Sequence, residues 1–224
     1  MTPSIVESHS LLDPHPTTTM IPLFPLGSTL FPGGLMPLKI FEPRYLTMTR
    51  HAFQSGEPFG MVALQSGSET VVPEQGEVLH KMGVMAHIEA FEEFNPALFL
   101  IRVKGGERFH IDAAERQKNG LWMAQVTLLA PDAEVDVPAE LEPSANKLGA
   151  LIRSLQEHGV LEQDMPFAKP YLLGDCSWVS NRWSEMLPLE SAQKQTLLGQ
   201  THPRLRLDLV SEILEGLKIS VDFP

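Results

Sequence analysis

Between residues 60 and 129 apolar and polar side chains alternate with a period of two, the pattern of half-buried β-strands. Val84, Ala86, Ile88 and Ala90 share one face, while Met85, His87, Glu89 and Phe91 share the other. Asn95-Pro96 breaks the run. Leu98 to Lys104 resumes it with Phe99, Ile101 and Val103 facing inward, and Gly105-Gly106 is expected to bend the chain. Trp122, Ala124, Val126 and Leu128 make a last strand. Together with Met61 to Leu64 the pattern predicts about five to seven short strands, interrupted by one helix from about Glu42 to Gln54. Such a set closes most naturally as a small mixed barrel.

The period then changes. Pro131 to Pro143 is acidic and proline-rich, with Asp132, Glu134, Asp136, Glu140 and Glu142, and reads as a linker with little to bury. Beyond it Leu148, Leu151, Ile152 and Leu155 recur at helical spacing, with Gly159 where a C-cap belongs. Trp178, Val179, Arg182, Trp183, Met186 and Leu187 mark a second helix that Pro188 ends, and Glu190 to Leu198 a short third. Pro203 opens the last, whose predicted buried stripe is Leu209, Val210, Ile213, Leu214 and Leu217. Arg204, Asp208, Glu212 and Glu215 are placed on its wet face. The expected class is α+β. Its domains are a leader over 1–19, a barrel over 20–130, the linker over 131–143 and a helical bundle over 144–218.

Composition narrows the function classes. At 224 residues, 43% hydrophobic and 20% charged, the chain can bury a real core. Its formal net charge of -11 repels phosphate backbones, which counts against nucleic acid as a partner. Cys176 is the single cysteine, so no intramolecular disulfide is available and a reducing compartment, the cytoplasm, is expected. The first twenty residues hold no Lys or Arg and lack the apolar core of a signal peptide, and no later run approaches a membrane span.

Candidate chemistry is sparse. No glycine-rich run ends in Gly-Lys-Ser/Thr, so a phosphate-cradling loop is missing, Lys218-Ile219-Ser220 included. Gly-x-Ser-x-Gly is missing too, and Ser28, Ser66 and Ser68 read as turn residues. His80 and His87 are an odd number of residues apart, on opposite faces of a strand, while His9 and His15 lie in the leader. His87 and Glu89 share a face, but two ligands make no metal site. Asp175 beside Cys176 disfavours the thiolate that a nucleophile needs. The expectation is therefore no catalytic residue, no metal and no cofactor.

One segment is more specific than this. Ile21 to Tyr45 reads IPLFPLGSTLFPGGLMPLKIFEPRY, with five prolines, Pro22, Pro25, Pro32, Pro37 and Pro43, that exclude a long helix or a central strand. Pro22 to Leu26, Leu30 to Gly33, Pro37-Leu38 and Ile40 to Tyr45 resemble the N-terminal domain of Lon proteases, especially its stand-alone form. Val103 to Phe109 is a weaker echo, similar to the family's glycine-then-arginine turn between strands. The resemblance implies a PUA-like mixed β-barrel with one inserted helix, followed by a C-terminal helical bundle. It implies a bacterial-type protein that binds unfolded polypeptide or a partner protein in quality control without cutting it. A homodimer is compatible with that.

The residues expected to line a peptide-binding groove are Phe31, Pro32, Leu35 and Met36 of the proline-rich turn, with Trp178 and Trp183. The alternatives are an RNA-binding PUA-like module and a small hydrolase or peptidase-like enzyme. The first requires Lys39, Arg44, Arg50, Arg102, Lys104 and Arg108 to converge on one face. The second requires a nucleophile, base and orienting group in one pocket.

Overall fold

The computed structural model describes residues 18–67 and 76–217. The expected leader up to residue 17, with His9 and His15, lies outside them, as do Ser68 and Lys218 to Ser220. Six strands form one mixed sheet: β1 (Thr18–Leu26), β2 (Leu35–Ile40), β3 (Phe59–Ser66), β4 (Val78–Asn95), β5 (Leu98–Arg116) and β6 (Trp122–Leu128). Their order is β2-β5-β4-β3-β1-β6, and β5 pairs with β6 as well. Five strands thus close a ring, and β2 is an appended edge strand. β1 runs parallel to β3 and antiparallel to β6. The inserted helix α1 (Pro43–Ser55) starts at a proline, whose missing N–H costs nothing in a first turn, and stops at Gly56 with φ 73°.

The number of strands falls within the expected range, but β4 and β5, at 18 and 19 residues, are not short. β5 serves two neighbours in turn, pairing with β2 over Phe99 to Lys104 and with β6 over Phe109 to Arg116. Gly105-Gly106 is therefore not a turn between strands. The register with β4 slips from Ala86↔Gly105 to Val84↔Arg108, so the glycines sit at a bulge within one continuous strand.

Alternation also misplaces Met85. It is 6% exposed inside the ring, packed with Leu23, Val62, Phe109 and Val126, while its neighbours Val84 and Ala86 are buried in a second cluster with Leu197 and Leu198. Both faces of β4 are covered here, so a period of two no longer separates dry from wet.

Four further helices follow: α2 (Glu142–Glu157), α3 (Cys176–Met186), α4 (Ser191–Gly199) and α5 (Pro203–Gly216). The α5 stripe is rotated from the predicted one. Pro203, Arg206, Leu207, Val210 and Leu214 are buried, whereas Leu209 and Leu217 are 36% and 46% exposed. Arg206 takes an interior position because its guanidinium is satisfied there by the Leu197 carbonyl, Asn181 and Asp132. The acidic stretch before α2 buries more than its composition suggests. Val135 and Val137 pack against the core, and Val137 N–H and the Val135 carbonyl bond Gly174 and Cys176.

Candidate functional site

The proline-rich turn between β1 and β2 is held by its main chain. Gly33 N–H donates to the Gly105 carbonyl at 2.7 Å, and Gly105 N–H donates to Gly34 at 2.9 Å. From α3, Arg182 donates to the Pro32 carbonyl at 2.6 Å, and Glu185 accepts from the Phe31 N–H at 3.1 Å. Two glycines are required by proximity. A Cβ at Gly34 would overlap the Glu185 carboxylate, and one at Gly105 would overlap the Phe31 carbonyl.

Arg182 and Glu185 also pair with each other at 3.1 Å. Burial pushes the Glu185 carboxyl up to about 7, although Arg182, the Phe31 N–H and Lys194 all favour its charged form. The side chain keeps 17% exposure, which limits the cost of holding that charge. Burial lowers the pKa of Arg182 and of Lys194 in turn.

A cavity of about 410 Å³ opens between the end of β1 and strand β2. Phe24, Leu38, Ile40 and Tyr45 are its buried apolar walls, with the Phe24 and Tyr45 rings 4.4 Å apart. Met36 and Phe41 line its mouth, and Phe41 is 57% exposed. β1 pairs with β6 only up to Leu23, and β2 pairs with β5 alone, so the cleft lies beside two strand edges. Pro25 and Pro37 leave gaps in the N–H donors there, which blunts both edges against pairing with other chains. What remains is a slot with apolar walls, whose lining also includes the charged Lys39 and Glu42.

The six residues expected in a groove do not line one surface. Met36 lies in the cleft, and Leu35 beside it is partly exposed. Pro32 borders a different cavity, of about 490 Å³, with His87, Glu89, Lys104 and Glu107. Phe31 is fully buried and Trp183 is 4% exposed, its indole N–H donating to the Ser144 carbonyl at 3.0 Å. Trp178 is half-buried against Phe167 and Tyr171, with ring centres 6.4 and 6.2 Å away. Sequence reasoning passed over Phe24, Phe41 and Tyr45. All three stand in the proline-rich signature, and Phe41 follows the alternation of β2 outward.

Charged groups elsewhere are engaged with one another. Asp132 accepts from Arg206 at 2.8 Å and from Ser177 at 2.6 Å, and it pairs with Arg108. Burial works to raise the Asp132 pKa, but those hydrogen bonds and the two guanidinium charges outweigh it and hold it below the usual carboxylate range. The Cys176 thiol is pushed up to about 11, by burial first and by Asp175 second. His80 meets Ser191 at 3.0 Å. Among the described residues no three His, Cys, Asp or Glu side chains group as metal ligands, and no helix is long and apolar enough to cross a membrane. Arg44, Arg50, Arg102, Lys104 and Arg108 each meet a carboxylate: Glu42, Glu93, Glu89, Glu89 and Asp132 respectively.

Residues 20–216 match the family model of the ATP-dependent protease La (LON) substrate-binding domain. Lon protease 2 of Herpetosiphon aurantiacus is 27% identical over 205 residues, covering 88% of this chain. The chain spans about a quarter of that relative, 24% of its length. Among solved structures, a Lon N-terminal domain protein from Xanthomonas campestris superposes with a TM-score of 0.66 at 29% identity, covering 87% of this chain and 98% of that one. The N-terminal domain of a Mycobacterium avium complex Lon protease superposes with a TM-score of 0.53 at 16% identity, covering 87% and 97%, a likeness of fold alone. The six-stranded mixed sheet and its helices are the α+β fold of these Lon N-terminal domains.

Proposed function

The chain belongs to the substrate-binding domain family of the ATP-dependent protease La (LON), and from that premise we propose that it binds polypeptide without cutting it, in the service of protein quality control. The single observation that carries this reading is the apolar cleft between β1 and β2, built from the signature segment and opening at exposed Phe41. A folded protein keeps its apolar side chains inside, whereas an unfolded one offers them. A slot lined by Phe24, Met36, Leu38 and Ile40 therefore selects for the unfolded form. Each apolar side chain it takes up adds roughly 1.5–3 kcal/mol before the cost of ordering the bound chain.

The electrostatics favour protein over RNA. Five of the six cations that an RNA site would need, Arg44, Arg50, Arg102, Lys104 and Arg108 but not Lys39, are spent on carboxylates, and Arg44 and Arg108 are buried as well. A hydrolase reading is disfavoured by the state of its best nucleophile. Cys176 is buried, and its thiol is pushed away from ionisation.

Calorimetric titration with a reduced, alkylated and permanently unfolded model protein tests the proposal against the same protein in native form. Binding of the unfolded form alone is expected. Equal heats from both, or heat from neither, reject it.

A further inference from the structure

The β1–β2 cleft is bordered by two charged residues, Lys39 and Glu42, and they differ in what surrounds them. Glu42 is already compensated. Its carboxylate accepts from Arg44 Nε at 3.0 Å and meets a second nitrogen of the same guanidinium at 3.0 Å. Lys39 is exposed and pairs with no carboxylate among the described residues. Its place follows from the alternation of β2, where Leu38 and Ile40 are buried while Pro37 and Lys39 turn outward. The cleft therefore joins apolar walls to one unspent positive charge. A hydroxyl is nearly unspent as well. Ser28, on the same lining, reaches only the Met36 sulfur at 3.9 Å, a weak acceptor, and can turn to a main-chain carbonyl of a ligand with little lost.

The net charge of -11 opposes acidic polypeptide at long range. Physiological salt screens that field beyond about 8 Å, so the contact at Lys39 is decided locally. An apolar residue in the middle of a chain brings main chain on both of its sides, and Pro25 and Pro37 in the lining offer that chain no N–H. A chain end brings main chain on one side only. On the other it carries a carboxylate, the partner that the free ammonium lacks.

Resting on the reading of the cleft as a polypeptide site, we infer that its preferred ligand is the C-terminus of a polypeptide whose last residue is apolar, with the side chain against the walls at Phe24 and Ile40 and the α-carboxylate on Lys39. Such an end is hidden where a folded protein packs its last residue, and unfolding or cleavage within an apolar stretch displays it. Lys39 thus turns a general affinity for apolar surface into a preference for one position in the chain.

Fluorescence anisotropy with the full chain and Gly/Ser-rich peptides labelled at their N-termini tests this. One probe ends in Ser-Phe as the free acid and a second in Ser-Phe as the amide. A third ends in Ser-Phe-Gly-Ser as the free acid, and a fourth in Ser-Phe-Glu-Ser as the amide. The first is expected to bind at least about fivefold tighter than each of the others, the upper range of an exposed ion pair. Lys39→Gln is expected to bring the acid down to the amide, and Lys39→Arg to keep the preference, both with an unchanged thermal midpoint. Equal affinity for acid and amide, a preference that survives Lys39→Gln, a Phe-Glu probe that matches the free acid, or no binding of the free acid overturns the chain-end site. The cleft reading is separated from it by Phe41→Ser, which still weakens binding of unfolded protein if the cleft is the site, whatever the peptides show. If Phe41→Ser leaves that binding unchanged, both readings fall.

Discussion

The Glu185 carboxylate accepts a hydrogen bond from the backbone N–H of Phe31 at 3.1 Å. A helix late in the chain thereby holds the proline-rich turn by its main chain. Arg182, one turn earlier on α3, holds the next carbonyl, that of Pro32. The turn that joins the two strands of the cleft is thus positioned by two side chains of α3, the buried Arg182 and the mostly buried Glu185, which also pair with each other.

This clasp makes stability depend on pH with a definite sign. Glu185 has a folded-state value of about 7 against an ordinary 4.5, so the native protein retains a proton that the unfolded chain has released. Its contribution is complete below about 4.5 and is lost as pH rises through about 7. The thermal midpoint of the native chain is expected to fall across that window relative to Glu185→Gln, which cannot titrate. A difference between the two that stays constant from pH 4.5 to 8 would refute the assignment.

Gly34 and Glu185 are coupled by contact, since a Cβ at position 34 would occupy the space of the carboxylate. Gly34→Ala is expected to destabilise the native background by about 1–3 kcal/mol and a Glu185→Ala background by much less. Urea unfolding of the four proteins in the cycle measures the coupling. Additive losses would mean that the carboxylate is not the obstacle.

Asp132 joins the acidic stretch to β5 and α5 through Arg108 and Arg206. Asp132→Asn leaves two buried guanidinium groups without their counter-charge, and a loss of about 3–5 kcal/mol is expected in urea. The same carboxyl has a depressed folded-state pKa, so its contribution is present above its ordinary value of 3.8 and fades as pH falls below that. Near-native stability of Asp132→Asn at neutral pH would show that these ions do not hold the parts together.

Cys176 is expected to be inert. With its thiol pushed up to about 11 and buried, labelling by a thiol-specific disulfide reagent at pH 7.5 should require unfolding. Denaturant should raise the rate by orders of magnitude. Fast labelling of the native protein would place the thiol at the surface.

What the sequence disclosed was local. The alternation around Phe99, Ile101 and Val103 is read correctly because a strand's own side chains carry it, and α1 is bracketed by Pro43 and Gly56. The long ladder of β5 was hidden, because Gly105-Gly106 looks the same at a turn and at a bulge until the strand beyond is known. The interior arginines were hidden for a similar reason. Nothing in the spacing of α5 marks Arg206 as interior until Asp132, 74 residues away, is brought to it. At the cleft, Met36 was legible from the apolar signature, whereas Phe31 and Trp183, which the sequence allows equally as core or as groove, are core. Phe31 is sealed in by the Glu185 clasp, and Trp183 by its bond to Ser144.

The central claim is that the slot beside Phe41 grips unfolded polypeptide, and the most direct test is the dissociation constant for one unfolded, labelled protein measured with the native chain and with Met36→Ser/Phe41→Ser. Both side chains are at least partly exposed, so the variant is expected to keep its thermal midpoint and to lose affinity about tenfold or more. Undiminished affinity in a folded variant would contradict the account.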